Sequence, residues 1–297
     1  METENIFFTG MDGGLYIFYN NRFECVFTKP VYGITFKREY CYFVDKREEK
    51  SRILRFKADV GEDGVFSYST EAWCCLDGLP PNVHQIDFVG DDLYITNPVE
   101  NCIDVYREES KWHWELLRRI MPLGVASEGR DSDNYGHFNS VFKSNSYLYI
   151  MAHMDGVKKE KQSKIFIVDN ENKVFDMGLV SIGVGAHNVL LHEDHLYWCD
   201  SISGCLKRDG KVFFVPDKKN WWFTRGLAMN KNHIIIGGSR IVDNSKERKV
   251  RNGKLFVFDY EREKLVGDVD VANSGGIYEV RYRYGDFGIS NNYTKGE

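Results

Sequence analysis

Four segments of the chain share one layout, an alternating apolar run, a tight turn, and a second alternating run that begins nine residues after the first. They start at Tyr32 and Cys41, His84 and Leu93, His187 and Leu196, and Arg225 and Ile234. A fifth copy keeps the step from Asn139 to Leu148. In the clearest copy, Val83 to Asn97, two alternating runs flank Gly90-Asp91-Asp92, which is the pattern of a β-hairpin. A hairpin repeated this often constrains the fold more than any other feature of the chain. Third strands follow at Ile53–Phe56, Ile103–Tyr106, Lys164–Asp169 and Lys254–Asp259, and some copies add a fourth, as at Val212–Val215. The copies begin at 32, 84, 139, 187, 225 and 278, a spacing longer and less even than a solenoid repeat and suited to the four-stranded blades of a β-propeller.

The sixth copy, Ile277 to Tyr282, has no room behind it for a full blade. Three alternating runs near the start, within Asn5–Thr9, Gly14–Phe18 and Phe23–Phe27, supply the missing strands and remove the open sheet edges. The expectation is an all-β, six-bladed propeller over residues 1–297 as one domain, with the N-terminal strands completing the C-terminal blade. Five blades is the alternative count, because the copy at Arg225 begins only 38 residues after its predecessor. Lys111–Arg119 reads as a short helix or a fourth strand, and the basic runs Lys158–Lys161 and Lys246–Arg251 read as solvated surface loops.

The chain carries 39 Lys and Arg against 44 Asp and Glu, a net charge of −5, which gives no electrostatic footprint for nucleic acid or an anionic membrane. No apolar run is long enough to span a bilayer, and Met1 to Asn5 lacks the pattern of a secretory signal, so a cytoplasmic location is expected. Seven cysteines without a C-x-x-C pair read as reduced thiols, mostly in the core. No phosphate-binding loop or dinucleotide fingerprint is present, so no nucleotide cofactor is expected.

In a propeller the innermost strands begin around one mouth of a central channel, where ligands usually bind. The first positions of the copies are Tyr32, His84, Asn139, His187, Arg225 and Tyr278. His137 lies two residues before Asn139 and by strand alternation points the same way. His84, His137 and His187, three of only eight histidines, thus mark three consecutive blades as candidate ligands for zinc, iron, nickel or copper. Arg225 is the candidate anchor for a carboxylate or phosphate, Tyr32 or Tyr278 a proton donor, and Glu279 a general base if its strand start is irregular. His192 and His195 flank a turn and read as exposed, and His113 and His153 have no positional partner in the repeat.

The ordered stretches His84-Gln85-Ile86-Asp87-Phe88, Gly136-His137-Phe138-Asn139-Ser140, Ala186-His187-Asn188, Thr224-Arg225-Gly226-Leu227 and Ile277-Tyr278-Glu279-Val280 resemble a bacterial propeller family, domain of unknown function 4915. The likeness runs over about residues 83–285. It departs at Gln85, Ser140, Ala186 and Asn188, while the three histidines and Arg225 match. It implies the fold and these site residues and leaves the reaction open. Two functions are therefore expected. One is a metal-dependent enzyme acting on a small anionic substrate at the channel mouth. The other is a non-catalytic binding or scaffold propeller that recognises a glycan, peptide or protein partner.

Overall fold

Alternation in the sequence becomes pairing in space. A computed structural model describes residues 7–19, 22–61, 65–110, 112–124, 136–144, 147–154, 162–171, 173–176, 182–216, 222–241, 247, 251–272 and 274–283. Its first strands are β1 (Phe7–Met11), β2 (Gly14–Tyr19) and β3 (Arg22–Phe27). Blade 1 follows with β4 (Val31–Lys37), β5 (Tyr40–Asp45), β6 (Ser51–Val60), β7 (Phe66–Tyr68) and β8 (Trp73–Leu79). Blade 2 holds β9 (Ile86–Val89), β10 (Asp92–Asn97), β11 (Cys102–Ser110) and β12 (His113–Ile120), and blade 3 holds β13 (Phe138–Ser144), β14 (Tyr147–Ala152), β15 (Lys164–Val168) and β16 (Val174–Asp176). Blade 4 is β17 (His187–His192), β18 (His195–Asp200), β19 (Cys205–Arg208) and β20 (Lys211–Phe214). Blade 5 is β21 (Trp222–Met229), β22 (His233–Arg240), β23 (Gly253–Asp259) and β24 (Lys264–Val271), and β25 (Ile277–Tyr282) ends the series.

Blade 6 has the order β25-β1-β2-β3, so the sixth sheet is shared between the two ends of the chain, as the sequence predicts. Inner strands touch in a closed ring, β4, β9, β13, β17, β21, β25 and back to β4. The count is six blades, not five, and Lys111–Arg119 contributes to a fourth strand, β12, with residue 111 outside the described residues. The run 158–161 and most of 246–251 also lie outside them.

Burial explains the sequence pattern. Second strands such as β5, β10 and β18 are packed on both faces between neighbouring blades, so both faces are buried and their sequences read almost continuously apolar. Fourth strands β12 and β24 face solvent and read as mixed. Side chains also tie successive blades together. Gln85 Oε1 accepts from Val141 N (2.7 Å), Ser140 Oγ from Asn188 N (2.7 Å), Asn188 Oδ1 from Gly226 N (2.8 Å), and Ser239 Oγ from Ile277 N (2.9 Å). These bonds satisfy backbone donors where the inner strands leave their ladders.

The inner strands are irregular where they begin. Register shifts fall between Val31 and Ile34, Phe138 and Ser140, His187 and Val189, and Thr224 and Leu227. Such bulges insert a residue and re-aim the side chains on either side. Asn188 (φ 52°) and Gly226 (φ 83°) occupy equivalent left-handed positions within two of them.

Candidate functional site: a ring of imidazoles and tyrosines at the channel mouth

Those irregular starts bring one side chain or more from every blade to a common mouth. Beginning at blade 6, the Tyr278 ring lies 4.1 Å from that of Tyr32, which lies 5.2 Å from His84. The arc continues from His84 to His137 (4.7 Å), His137 to His153 (4.5 Å), His153 to His187 (4.3 Å) and His187 to Phe223 (5.5 Å), all between ring centroids. Arg225 of blade 5 completes the circle, its guanidinium 4.8 Å from the Tyr278 ring and 5.3 Å from that of Tyr32. Six of the predicted mouth residues are thus assembled, Tyr32, His84, His137, His187, Arg225 and Tyr278. Asn139 is not among the rings; its Nδ2 donates to Ala186 O (2.8 Å) and links blades 3 and 4.

His137 reaches the mouth by a different route from strand alternation. It precedes β13 in a left-handed conformation, φ 45°, and the register shift between Phe138 and Ser140 follows it. Glu279 is buried and turned into the channel, where its Oε1 accepts from Asn188 Nδ2 (3.3 Å) and pairs with Arg281 Nε (3.4 Å). Arg281 also reaches Asp87 Oδ2 (3.5 Å), and Thr35 donates to Asp87 Oδ1 (2.8 Å). Glu279, Arg281 and Asp87 thus form a largely buried charged cluster that links blades 6 and 2.

Two residues of the mouth escape a reading of inner-strand starts. His153 lies between His137 and His187, and its backbone N donates to His137 O (3.2 Å). It is the residue opposite His137 in the hairpin, and that pairing is the signal that could have found it. Lys46 follows β5 and donates from Nζ to the hydroxyl of Tyr32 (2.5 Å), with Nζ 4.3 Å from that ring. His192 is buried rather than exposed because its ring packs against Tyr260, whereas His195 is exposed and bonds Asp209.

The hydrogen bonds fix protons. Arg225 Nη2 lies 3.1 Å from His84 Nδ1, and since a guanidinium only donates, Nδ1 accepts. Burial above all, then the neighbouring His137 and Arg225, holds the His84 imidazole well below the usual histidine range, so at neutral pH it is uncharged. A neutral ring that accepts at Nδ1 carries its proton on Nε2. That atom faces His137 Nε2 at 2.7 Å, while the two centroids stand 4.7 Å apart in nearly parallel planes, so the rings meet edge to edge. His84 donates and His137 accepts. His187 is likewise held neutral, by burial first and Arg225 second, and its Nδ1 lies 2.8 Å from Ser201 Oγ and 3.4 Å from His153 Nε2.

Ligands at ~2.0–2.1 Å on a tetrahedral ion stand about 3.3 Å apart, so the His84 and His137 nitrogens are closer together than a shared metal ion places them. Among the described residues no three His, Cys, Asp or Glu side chains form a group that could hold a metal ion.

Fold and site together define a six-bladed β-propeller with a polar, ring-lined channel mouth. Solved structures agree on the fold. A chain of the nidogen/laminin complex matches with a TM-score of 0.64 at 11% identity, covering 93% of this chain and 97% of that one. The periplasmic gluconolactonase of Pseudomonas aeruginosa matches with a TM-score of 0.55 at 11% identity, covering 93% and 98%. A putative 6-phosphogluconolactonase from Bacteroides fragilis matches with a TM-score of 0.50 at 14% identity, covering 90% and 82%. At these identities the likeness carries the architecture alone. No protein-family model matches the chain, and no curated protein matches it. Among the described residues no helix is long and apolar enough to cross a membrane.

Proposed function

We propose that the channel mouth binds a small anionic molecule and that the His84–His137 pair moves a proton to or from it. The observation that supports this best is the contact of Arg225, a buried cation, with a neutral imidazole acceptor and two aromatic faces. An incoming carboxylate or phosphate competes well for such a guanidinium, because charge-assisted hydrogen bonds are roughly twice as strong as neutral ones. Once the fork turns to the anion, His84 Nδ1 becomes a free base whose other nitrogen is already joined to His137. A proton taken at Nδ1 is balanced by the Nε2 proton passing to His137, which is general acid–base chemistry without net charge on His84. Titrating the protein with inorganic phosphate and with malonate at low salt, by calorimetry, tests the binding step. Arg225→Met should weaken the preferred anion at least ~10-fold; unchanged affinity counts against the reading.

The convergence of four imidazoles favours a second reading, a transition metal held by His84, His137 and His187. Uptake then requires the His84–His137 contact to open. Metal analysis decides between the two: near-stoichiometric metal that is lost in His137→Ala supports the ion, while metal-free protein with intact anion binding supports the proton pair. Binding without turnover of any ligand would make the mouth a recognition site, as in a scaffold propeller. We place the protein in a reducing compartment such as the cytoplasm on the ground that all seven cysteines are free thiols, five of them buried.

A further inference from the structure

Tyr32 and Tyr278 sit side by side at the mouth, but their hydroxyl groups have opposite commitments. The Tyr278 hydroxyl donates to Asp12 Oδ1, and Asp12 Oδ2 accepts from Gly276 N (2.8 Å). A carboxylate can only accept, so the proton of Tyr278 is held inside the protein. The Tyr32 hydroxyl instead receives Lys46 Nζ, and an ammonium can only donate. That bond uses a lone pair of Tyr32 and leaves its own O–H to point elsewhere. Tyr32 is 5% exposed, and among the described residues no acceptor bonds that proton. Lys46 and Arg225 both stand close to this one ring, at 4.3 and 5.3 Å. Lys46 makes no ion pair among the described residues, and its partner is the phenol itself.

We propose that Tyr32 donates its hydroxyl proton as a hydrogen bond to a small oxyanion, carboxylate or phosphate, carried between Lys46 and Arg225, while Tyr278 is a strut within blade 6 that joins β25 to the turn at Asp12 between β1 and β2. The inference rests on the anion-binding reading above and sharpens it. Lys46 is the second cationic anchor, and Tyr32 rather than Tyr278 is the group that touches the ligand.

Four variants, Tyr32→Phe, Tyr278→Phe, Lys46→Met and Arg225→Met, are titrated with inorganic phosphate and separately with malonate, alongside thermal melts. The probe that binds wild type more tightly identifies the source of the oxyanion. For that probe Tyr32→Phe should weaken binding ~10-fold with an unchanged melt, since a hydrogen bond to a charged group is lost and the ring remains. Lys46→Met should weaken it at least as much, and because Lys46 is half-buried in the loop after β5 its loss leaves the fold intact. Tyr278→Phe should bind within about twofold of wild type and melt lower. Tyr32→Phe binding as wild type, or Tyr278→Phe weakening it equally, overturns the assignment even where Arg225→Met abolishes binding. Wild type that binds neither probe, or Arg225→Met that changes nothing, overturns the anion reading itself and the assignment with it.

Discussion

Glu279 is the residue at which burial acts most plainly on chemistry. Loss of water pushes its carboxyl up to about 7, although Arg281 and Arg225 pull the other way. A group whose folded pKa is raised contributes stability that is present below its unfolded value, here 4.5, and is lost as pH rises through about 7. The full shift corresponds to roughly 3 kcal/mol. Glu279→Gln should therefore gain stability over wild type as pH rises from 5 to 8, read from urea unfolding at each pH; parallel pH profiles would count against a titrating Glu279. His84 and His187 act in the opposite sense. Their folded values are depressed, so both cost stability as pH falls below the usual 6.5. At neutral pH the hydrogen bonds place His84 in the Nε2–H form and His137 in the Nδ1–H form, which histidine 15N spectra resolve directly. A His84 carrying its proton on Nδ1 would remove the donor–acceptor order on which the proton pair depends. The three histidines of the inner strands were legible in the sequence because the repeat marks where those strands begin. His153 and Lys46 were not, since both stand where second strands end, and a strand that runs back from the hairpin tip reaches the same mouth without any repeat position to flag it.

At the scale of the strand, the nine-residue step was readable because hairpin length is set by pleat and turn, and both leave an alternation in sequence. The bulges were not readable. They lie where side chain and backbone of one blade meet the next, and only that packing decides which residue is inserted. Gly33 shows the constraint. A Cβ there would stand 2.7 Å from Ile86 N and 2.8 Å from Gln85 Cα, both backbone of the adjoining blade. No side chain can move aside to admit it. Gly33→Ala should cost more than ~2 kcal/mol in chemical unfolding, the range of backbone clashes and overpacking. Gly267→Ala, on the exposed outer strand with open space around it, should cost far less and serves as the control. Near-equal losses at the two positions would mean that blades 1 and 2 are not in backbone contact there.

For the whole molecule, closure of the ring is the decisive contact. The strands β1 and β2 place Phe8, Met11, Leu15 and Ile17 in the core with no exposed surface. Four such side chains at ~1.5–3 kcal/mol each amount to about 6–12 kcal/mol, comparable with the entire stability of a typical domain. Removing residues 1–28 should leave a chain with no cooperative thermal transition. A truncated chain that melts at the wild-type temperature would show that β25 finds other partners. The shared sheet was legible because the sixth copy was short by three strands and the opening segment supplied three.

The same joint sets a timetable for the growing chain. Strand β1 precedes the five intervening blades in the chain and its partner β25 follows them, so the edge of β1 from Phe7 to Met11 must wait through the making of five blades before it is covered. Pairing over so long a separation is slow, and an apolar strand left open meanwhile is where nascent copies can stick to one another. The tyrosine strut from Tyr278 to Asp12 spans this late joint. Tyr278 of β25 packs on Tyr32 and under Arg225, so the mouth is complete only when the last strand has arrived, and the anion binding proposed above would mark molecules that have finished folding.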